Sequence, residues 1–148
     1  MDKITSFRGK HHFLSNFYQQ SFEYDGLVYP NAEAAFQAQK CQDEEGKRKY
    51  TTQKNPVCAK QMGKKEPNLP ADWDEISPKI MEKILRAKFS LPELKEKLLS
   101  TGSAHLEEEN HWHDNRWGNC TCKRCAEKEG QNLLGKLLMQ IRSELQNH

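Results

Sequence analysis

An acid, an amide and an amine recur at helical spacing within one short, alanine-rich segment, Tyr29-Pro-Asn-Ala-Glu-Ala-Ala-Phe-Gln-Ala-Gln-Lys40. Asn31 is a favourable N-cap, so the segment predicts a helix that begins beside it. At about 100° per residue, Glu33, Gln37 and Lys40 then share one stripe of that helix. Small and apolar neighbours would form a packed wall beside the stripe, where the pKa of the acid or the amine shifts toward neutrality. This arrangement suits proton transfer, whereas a solvated helix face without function is the alternative.

A second concentration of reactive side chains is His111-Trp-His-Asp-Asn-Arg-Trp-Gly118, which lacks a hydrophobic period and therefore predicts a loop between helices. Aromatic faces can stack on a base, Asp114 can act as a base or accept from ribose hydroxyls, and an arginine can pair with phosphate. We favour this functional interpretation. In the alternative, Trp112 and Trp117 only fill the core while the charges face water.

Two weaker signals lie near the ends of the chain. Arg8 and Asn16 stand among aromatic residues, a pattern suited to phosphate and adenine recognition, although an aromatic-rich entry strand is the commoner explanation. Asn132 lies near the predicted start of the last helix, where its amide or the free N–H groups could bind an anion or a ribose. The more frequent role of such an asparagine is that of an N-cap.

The cysteines of Cys120-Thr-Cys-Lys-Arg-Cys125 suggest a zinc site, with His111 or His113 as the fourth ligand. Against this, the segment lacks a second cysteine pair, and His113 lies further upstream than in most single knuckles. The sequence alone therefore favours an unliganded, exposed cysteine turn and leaves the metal undecided. On that interpretation, replacement of all three cysteines by serine shifts the melting temperature little.

The elements around these residues predict a mainly α-helical fold, α+β at most. Asp25-Gly26, flanked by aromatic residues, predicts a type I′ hairpin near the N-terminus. Helical periodicity or start signals follow at Pro56, which precedes a helix expected to end before Gly63, at Ser77-Pro78, and in the segment after Asn132. We expect a single domain spanning residues 1–148, large enough for a core of its own.

Composition excludes several classes of protein. A net charge of +2 argues against a strongly basic nucleic-acid-coating protein but permits contact with a few phosphates. No apolar run reaches the length of a bilayer span, so we expect no membrane partner. The N-terminus lacks a signal-peptide core, and five cysteines are an odd set, so we expect a cytoplasmic protein with reduced thiols.

In their order along the chain, these segments resemble the NADAR (NAD- and ADP-ribose-associated) family, also called YbiA-like. The resemblance covers nearly the whole chain, and the ordered combination of blocks is what makes it specific. A cysteine insert after Gly118 departs from many members. The matching blocks are Phe13-Leu-Ser-Asn-Phe-Tyr18, Asp25-Gly26, Tyr29 to Lys40, Ala59-Lys-Gln-Met-Gly63, Ile80-Met81, Ala87-Lys-Phe89, Thr101-Gly102, Leu106-Glu107, Asp114, Trp117-Gly118 and Gly130 to Met139.

The resemblance implies a helical fold and an enzyme that cleaves N-glycosidic bonds without a cofactor. Carried over by motif, Glu33, Lys40 and Asp114 would be catalytic. The residues expected to line the substrate site are Arg8, Asn16, Phe17, Trp117, Gly118 and Asn132.

Two substrate classes follow from the resemblance. One is ADP-ribose attached to guanine in DNA or RNA, which we favour, and the other is the phosphoribosylamino-pyrimidine intermediates of riboflavin synthesis. The rival from another class is a non-catalytic, zinc-stabilised module that binds ADP-ribose.

Overall fold

The protein is described here by a computed structural model, which covers residues 2–147. Its backbone contacts divide the chain into two compact units. The hairpin unit is the continuous segment Ser15–Pro92, and the terminal unit combines the residues up to Leu14 with those from Glu93 onward. That all of these residues form one domain stays a prediction.

Helices dominate both units, and the strands are short. The strands are β1 (Lys3–Ile4), β2 (Gln19–Tyr24), β3 (Leu27–Asn31), β4 (His105–Leu106), β5 (Glu109–Asn110) and β6 (Asn119–Cys120). The α-helices are α1 (Ala32–Ala38), α2 (Glu44–Arg48), α3 (Pro56–Lys64), α4 (Trp73–Lys88), α5 (Pro92–Ser100) and α6 (Leu133–Gln146). Turns of 3-10 helix span Gly9–Leu14, Lys49–Thr52 and Lys123–Cys125. The predicted mainly α-helical fold with an N-terminal hairpin is confirmed.

The hairpin delivers the chain directly into α1. Antiparallel strands β2 and β3 are joined by Asp25 and Gly26, whose φ angles of 51° and 86° are those that a type I′ turn requires. The Asn31 side chain then accepts a hydrogen bond from the Ala34 N–H at 2.8 Å, as the N-cap prediction requires. Every residue of α1 is buried, so packing rather than helix propensity holds this short helix.

The boundaries of α1 and α4 differ from the predicted ones. The first helix ends at Ala38, so Lys40 lies in the following turn, where its N–H donates to the Gln37 carbonyl at 3.1 Å. The fourth begins at Trp73, ahead of Pro78, because the Trp73 ring packs on Phe36 with a centroid separation of 5.3 Å. In these places tertiary contacts override the local signal.

The terminal unit is built from two short parallel strand pairs and helices α5 and α6. Strand β1 pairs with β4, and β5 pairs with β6. The buried aliphatic side chains of this unit include Leu94, Leu98, Leu106, Leu134, Leu138 and Ile141. The strand pairs place the loop that follows β5 next to the start of β6.

Among the described residues, no helix has both the length and the apolarity that a bilayer crossing needs. The cytoplasmic location expected from the sequence stays a prediction.

Candidate functional site

The acid and the amide of α1 form a buried hydrogen-bonded pair. Glu33 is 8% exposed and Gln37 is 5% exposed. The Gln37 Nε2 donates to the Glu33 Oε2 at 2.6 Å, a charge-assisted bond that fixes the carboxylate on the helix face. The alternative of a solvated helix face is therefore wrong for these two residues.

Lys40 extends from the turn after α1 toward α3. Its Nζ donates to the Gly63 carbonyl at 3.3 Å and lies 5.9 Å from the centroid of the Trp73 ring. Burial lowers the pKa of the Lys40 amine, while the nearby carboxylates of Glu33 and Glu66 oppose that shift. A larger fraction of this amine is therefore neutral than in an exposed lysine.

Gly63 allows α3 to approach α1 closely. It lies inside α3 rather than beyond its end, contrary to the predicted boundary. A Cβ at this position would overlap the side-chain oxygen of Gln37 and lie 3.0 Å from its Cβ. The absence of a side chain at Gly63 thus leaves room for Gln37. The Gly63 carbonyl also accepts the hydrogen bond from the Lys40 Nζ.

The Asn16 loop adjoins the start of α1. The Asn16 carbonyl accepts from the Glu33 N–H at 3.0 Å, and its Nδ2 donates to the Met81 sulfur at 3.6 Å. Its Oδ1 is buried and has no donor among the described residues. Phe17 follows, half-buried, with its N–H bonded to the Ser15 hydroxyl at 3.0 Å. The Gln37 Oε1 is likewise buried and has no donor among the described residues. Because buried polar atoms are almost always paired, both oxygens are acceptors suited to a ligand hydroxyl or N–H.

Lys88, for which the sequence alone predicts no role, lies against the start of this loop. Its side chain is 1% exposed, and its Nζ donates to the Ser15 carbonyl at 2.9 Å. Burial lowers the pKa of Lys88 to about 7. A sequence signal was present, because Met81, Ile84, Leu85 and Lys88 continue one apolar stripe at helical spacing.

In the terminal unit, the Asp114 carboxylate organises its own loop. Its Oδ1 accepts from the Arg116 N–H at 3.1 Å and from the Trp117 N–H at 2.9 Å, which is an Asx-type turn. Asn110 binds the backbone of Asp114 on both sides of that residue. The Asn110 Oδ1 accepts from the Asp114 N–H, and the Asn110 Nδ2 donates to the Asp114 carbonyl. Side-chain bonds to the backbone, rather than regular secondary structure, thus shape this loop.

The aromatic and basic side chains of the loop differ in exposure. The Arg116 guanidinium lies 5.6 Å from the centroid of the Trp117 ring, and both residues are half-buried. Trp112 is 51% exposed, so the alternative in which it fills the core is wrong. Arg8 is also exposed, and its carbonyl accepts from the His11 N–H at 3.0 Å.

Gly118 and Asn132 hold backbone segments together. A Cβ on Gly118 would overlap the Glu108 carbonyl, so this close approach requires glycine. The Asn132 amide donates to the Leu106 carbonyl at 2.9 Å and accepts from the Glu108 N–H at 3.2 Å. Asn132 occupies the N-cap position of α6, as the alternative expected, but with a φ of 50° its side chain makes no capping bond, and its amide instead joins backbone segments.

The cysteine turn is less exposed than the sequence suggested. Cys120 and Cys125 are buried and Cys122 is partly exposed, so an exposed turn is wrong for the first two. The imidazole of His113 lies beside all three thiols. The ring of His111 instead lies 3.5 Å from the Thr121 hydroxyl.

The predicted site residues therefore fall into two sets. Glu33, Lys40, Asn16 and Phe17 are brought together in the hairpin unit. The terminal unit holds Asp114 and the remaining predicted substrate residues, namely Arg8, Trp117, Gly118 and Asn132. Joint action of the two sets, and every catalytic or binding role assigned to them, stays a prediction.

A buried carboxylate beside an amine of lowered pKa is typical of functional sites in proteins. The NADAR domain model matches residues 5–146, so the chain belongs to the NADAR family. The chain is 34% identical over 138 residues to a protein of Escherichia coli (strain K12) named N-glycosidase YbiA, covering 89% of this chain and 80% of that protein.

A solved structure and a longer relative are also similar to this chain. The NMR structure of the E. coli protein YbiA superposes with a TM-score of 0.82 at 33% identity, covering 99% of this chain and 86% of that one. A Vibrio vulnificus (strain YJ016) protein named Riboflavin biosynthesis protein VVA0006 is 34% identical over 141 residues, which are 93% of this chain and 36% of that protein.

Proposed function

We propose that this chain is an N-glycosidase that removes an ADP-ribosyl group from a modified guanine base of DNA or RNA. Family membership and the YbiA relatives support the coarser class, a hydrolase acting on N-glycosyl compounds. The observation that carries the chemistry is the buried Glu33 carboxylate, bonded to Gln37 at 2.6 Å, in the same unit as Lys40, whose pKa is lowered by burial.

The proposed reaction divides the work between these two side chains. The neutral Lys40 amine attacks C1 of the ribose, so that a C1–Nζ bond forms while the bond from C1 to the base nitrogen breaks. Glu33 accepts the proton that Nζ releases and delivers it to the departing base. The C1–O4′ bond of this glycosylamine then breaks as the remaining Nζ proton moves to O4′, which leaves a Schiff base between C1 and Lys40. Water adds to C1, both of its protons pass to Nζ, the second through Glu33 as the C1–Nζ bond breaks, and the lysine leaves as a neutral amine while the sugar ring closes again.

The other predicted residues would bind and orient the sugar and its substituents. Asp114 orients or deprotonates a ribose hydroxyl, and the unpaired Oδ1 of Asn16 accepts a donor of the substrate. An ADP-ribosyl group presents an adenine and a diphosphate, which suit an aromatic face and a guanidinium respectively. The Arg116–Trp117 pair supplies both, and this pair is our reason for preferring the larger group.

The second candidate substrate is a phosphoribosylamino-pyrimidine intermediate of riboflavin synthesis. The Vibrio vulnificus relative bears a riboflavin name and matches 93% of this chain, which favours this candidate. Both substrates contain an N-glycosidic bond. They differ in the base that leaves and in the group on the ribose, which is a diphosphate with adenosine in the ADP-ribosyl conjugate and a single phosphate in the pyrimidine intermediate.

The direct test is incubation with each substrate, followed by mass spectrometry of the released sugar and base. We expect ADP-ribose and an unmodified oligonucleotide from ADP-ribosylated guanine, with Glu33→Gln as the inactive control. Release of ribose 5-phosphate from the pyrimidine intermediate alone would establish the second candidate. Tight binding of ADP-ribose with no turnover of either substrate would establish the non-catalytic module.

The lysine step has its own test. Borohydride added during turnover should attach the sugar to Lys40, and peptide mapping should find Lys88 unmodified. Lys40→Arg should abolish the adduct, whereas substitution of the exposed Lys83 should not change it. Turnover without any adduct would remove the covalent step while leaving the N-glycosidase activity in place.

A further inference from the structure

Four potential metal ligands converge beside the loop that carries Asp114. They are the imidazole of His113 and the thiols of Cys120, Cys122 and Cys125, whose ligand atoms all lie within 4.8 Å of one another. We propose that these side chains bind a structural zinc ion. This site is separate from the proposed glycosidase chemistry and does not depend on it.

The interatomic distances fit tetrahedral zinc. The His113 Nδ1 lies 3.8 Å from the sulfur of Cys120, 3.4 Å from that of Cys122 and 3.5 Å from that of Cys125. With the usual Zn–N and Zn–S bond lengths, a tetrahedral ion separates nitrogen from sulfur by about 3.6 Å. Hydrogen bonding does not account for this geometry, because one ring nitrogen carries at most one hydrogen and cannot donate to three sulfurs.

Two features of the backbone bring the four ligands together. Parallel pairing of β5 with β6 sets Cys120 opposite Asn110, which closes the long spacing between His113 and the first cysteine. Cys122 and Cys125 form a two-residue-spaced knuckle, in which the Cys125 N–H donates to the Cys122 carbonyl at 3.1 Å. The C-x2-C spacing of this knuckle is common in zinc sites.

His113 adopts a left-handed backbone conformation, which a stabilising interaction such as metal binding would offset. Its φ of 69° lies in the left-handed region, which is uncommon for a residue with a side chain and is found at ligand clamps. Its N–H donates to the Cys120 sulfur at 3.3 Å, which favours the thiolate. Strained backbone and a donor aimed at sulfur are both expected around a metal-bound cysteine.

The donor set specifies the metal and its role. Thiolate and imidazole ligands select zinc over the oxygen-binding cations. Four protein ligands close the tetrahedron, as in structural sites, and leave no position for substrate. Zn²⁺ with three thiolates has a net charge of about −1, and the exposed cations Lys123 and Arg124 occupy the knuckle between two ligands.

The site would fix the loop from both sides. Residues 114–119 lie between the ligands His113 and Cys120, so a bound ion closes the segment that contains Asp114 and Trp117. Because the unfolded chain lacks a preformed site, the free energy of zinc binding adds to the free energy of folding. The proposed zinc ion thus stabilises the conformation of the loop and takes no part in catalysis.

The test begins with the full-length protein as purified. We expect about one zinc per chain by elemental mass spectrometry. Cobalt exchanged into the site should give the visible bands of tetrahedral Co²⁺ and thiolate-to-cobalt charge-transfer absorption with an intensity appropriate to three thiolates. Absence of both zinc and the cobalt spectrum would overturn the proposal, as would a spectrum of octahedral cobalt.

Matched variants identify the ligands. His113→Ala should weaken zinc binding by about 10²-fold or more, whereas His111→Ala should leave it unchanged. Cys122→Ser should reduce the charge-transfer intensity by about a third, and Cys58→Ser, at an exposed thiol outside the cluster, should not alter it. Equal effects of the two histidine substitutions would overturn the ligand assignment. If a variant fails to fold, the cobalt spectrum of the unmutated chain still decides the number of thiolates.

Discussion

The α1 region and the loop between Asn110 and Cys125 hold the reactive side chains of this protein in different ways. In the α1 region, a buried helix with a regular N-cap places Glu33 and Gln37 one turn apart, and their side chains meet directly. In the loop, asparagine and aspartate side chains bind the backbone, and a cysteine–histidine cluster adjoins them. Regular structure positions the first region, whereas side chains position the second.

This difference determines how each region should respond to substitution. The whole of α1 is buried, so an isosteric change that keeps the hydrogen bond of a polar side chain should affect chemistry more than folding. A loop held by a few polar groups depends on each of them.

Replacement of Cys120, Cys122 and Cys125 by serine should cost the protein on the order of 5 kcal/mol of unfolding free energy, because zinc-binding energy is folding energy. This reverses the expectation drawn from the sequence alone. Hydrogen exchange should increase in residues 111–125 and stay unchanged in α1. A chelator applied to the unmutated protein should reproduce the loss, whereas Cys58→Ser should not. A shift of the melting temperature of only a degree or two would restore the sequence-based expectation.

Lys88→Met should remove a pH dependence that belongs to the hairpin unit. The folded pKa of about 7 lies below the ordinary 10.5, so the unfolded chain binds one more proton across this window and stability rises with pH there. The free energy of unfolding of the wild type, relative to Lys88→Met, should increase by about 1.4 kcal/mol per pH unit between about pH 7 and 10.

Urea unfolding of both proteins across this pH range measures the difference. Lys83→Met, at an exposed position of the same helix, is the control and should follow the wild type. A constant difference between Lys88→Met and the wild type would show that Lys88 is charged and compensated in the folded protein.

Glu33→Gln should lower turnover by about 10²-fold or more while ligand binding and stability change little. The amide keeps the shape of the side chain but cannot carry a proton. Single-turnover rates and ligand titration separate the two effects. Full activity of the variant would leave Glu33 as a structural acid in the first turn of α1.

Gly63→Ala should lower the free energy of unfolding by about 1–2 kcal/mol, because the new methyl group displaces Gln37 from its contact with α3. The displacement should weaken the Gln37–Glu33 bond and reduce turnover. A double-mutant cycle with Gln37→Ala tests the cause, since the alanine substitution at Gly63 should then cost much less. Equal costs in both backgrounds would place the strain elsewhere.

Much of the local structure follows from the sequence. The Asp25-Gly26 turn, the Asn31 cap and the approach of Glu33 to Gln37 depend on residues within about four positions of one another. Backbone preferences and single side-chain bonds decide such features before the chain is compact. For the same reason the periodicity of the last helix and the mainly α-helical class were predictable.

Tertiary structure decided the features that join distant segments. The burial of Lys88 against the Ser15 carbonyl, the amide of Asn132 between two backbone segments, and the approach of Gly63 to Gln37 all connect residues far apart in the chain. The cysteine cluster is instructive because its members are close in sequence. Spacing alone argued against His113 as a ligand, but strand pairing and a left-handed backbone angle bring its ring to the three sulfurs. The types of residue determine which chemistry is available to the protein. The path of the folded backbone determines which of those residues come into contact.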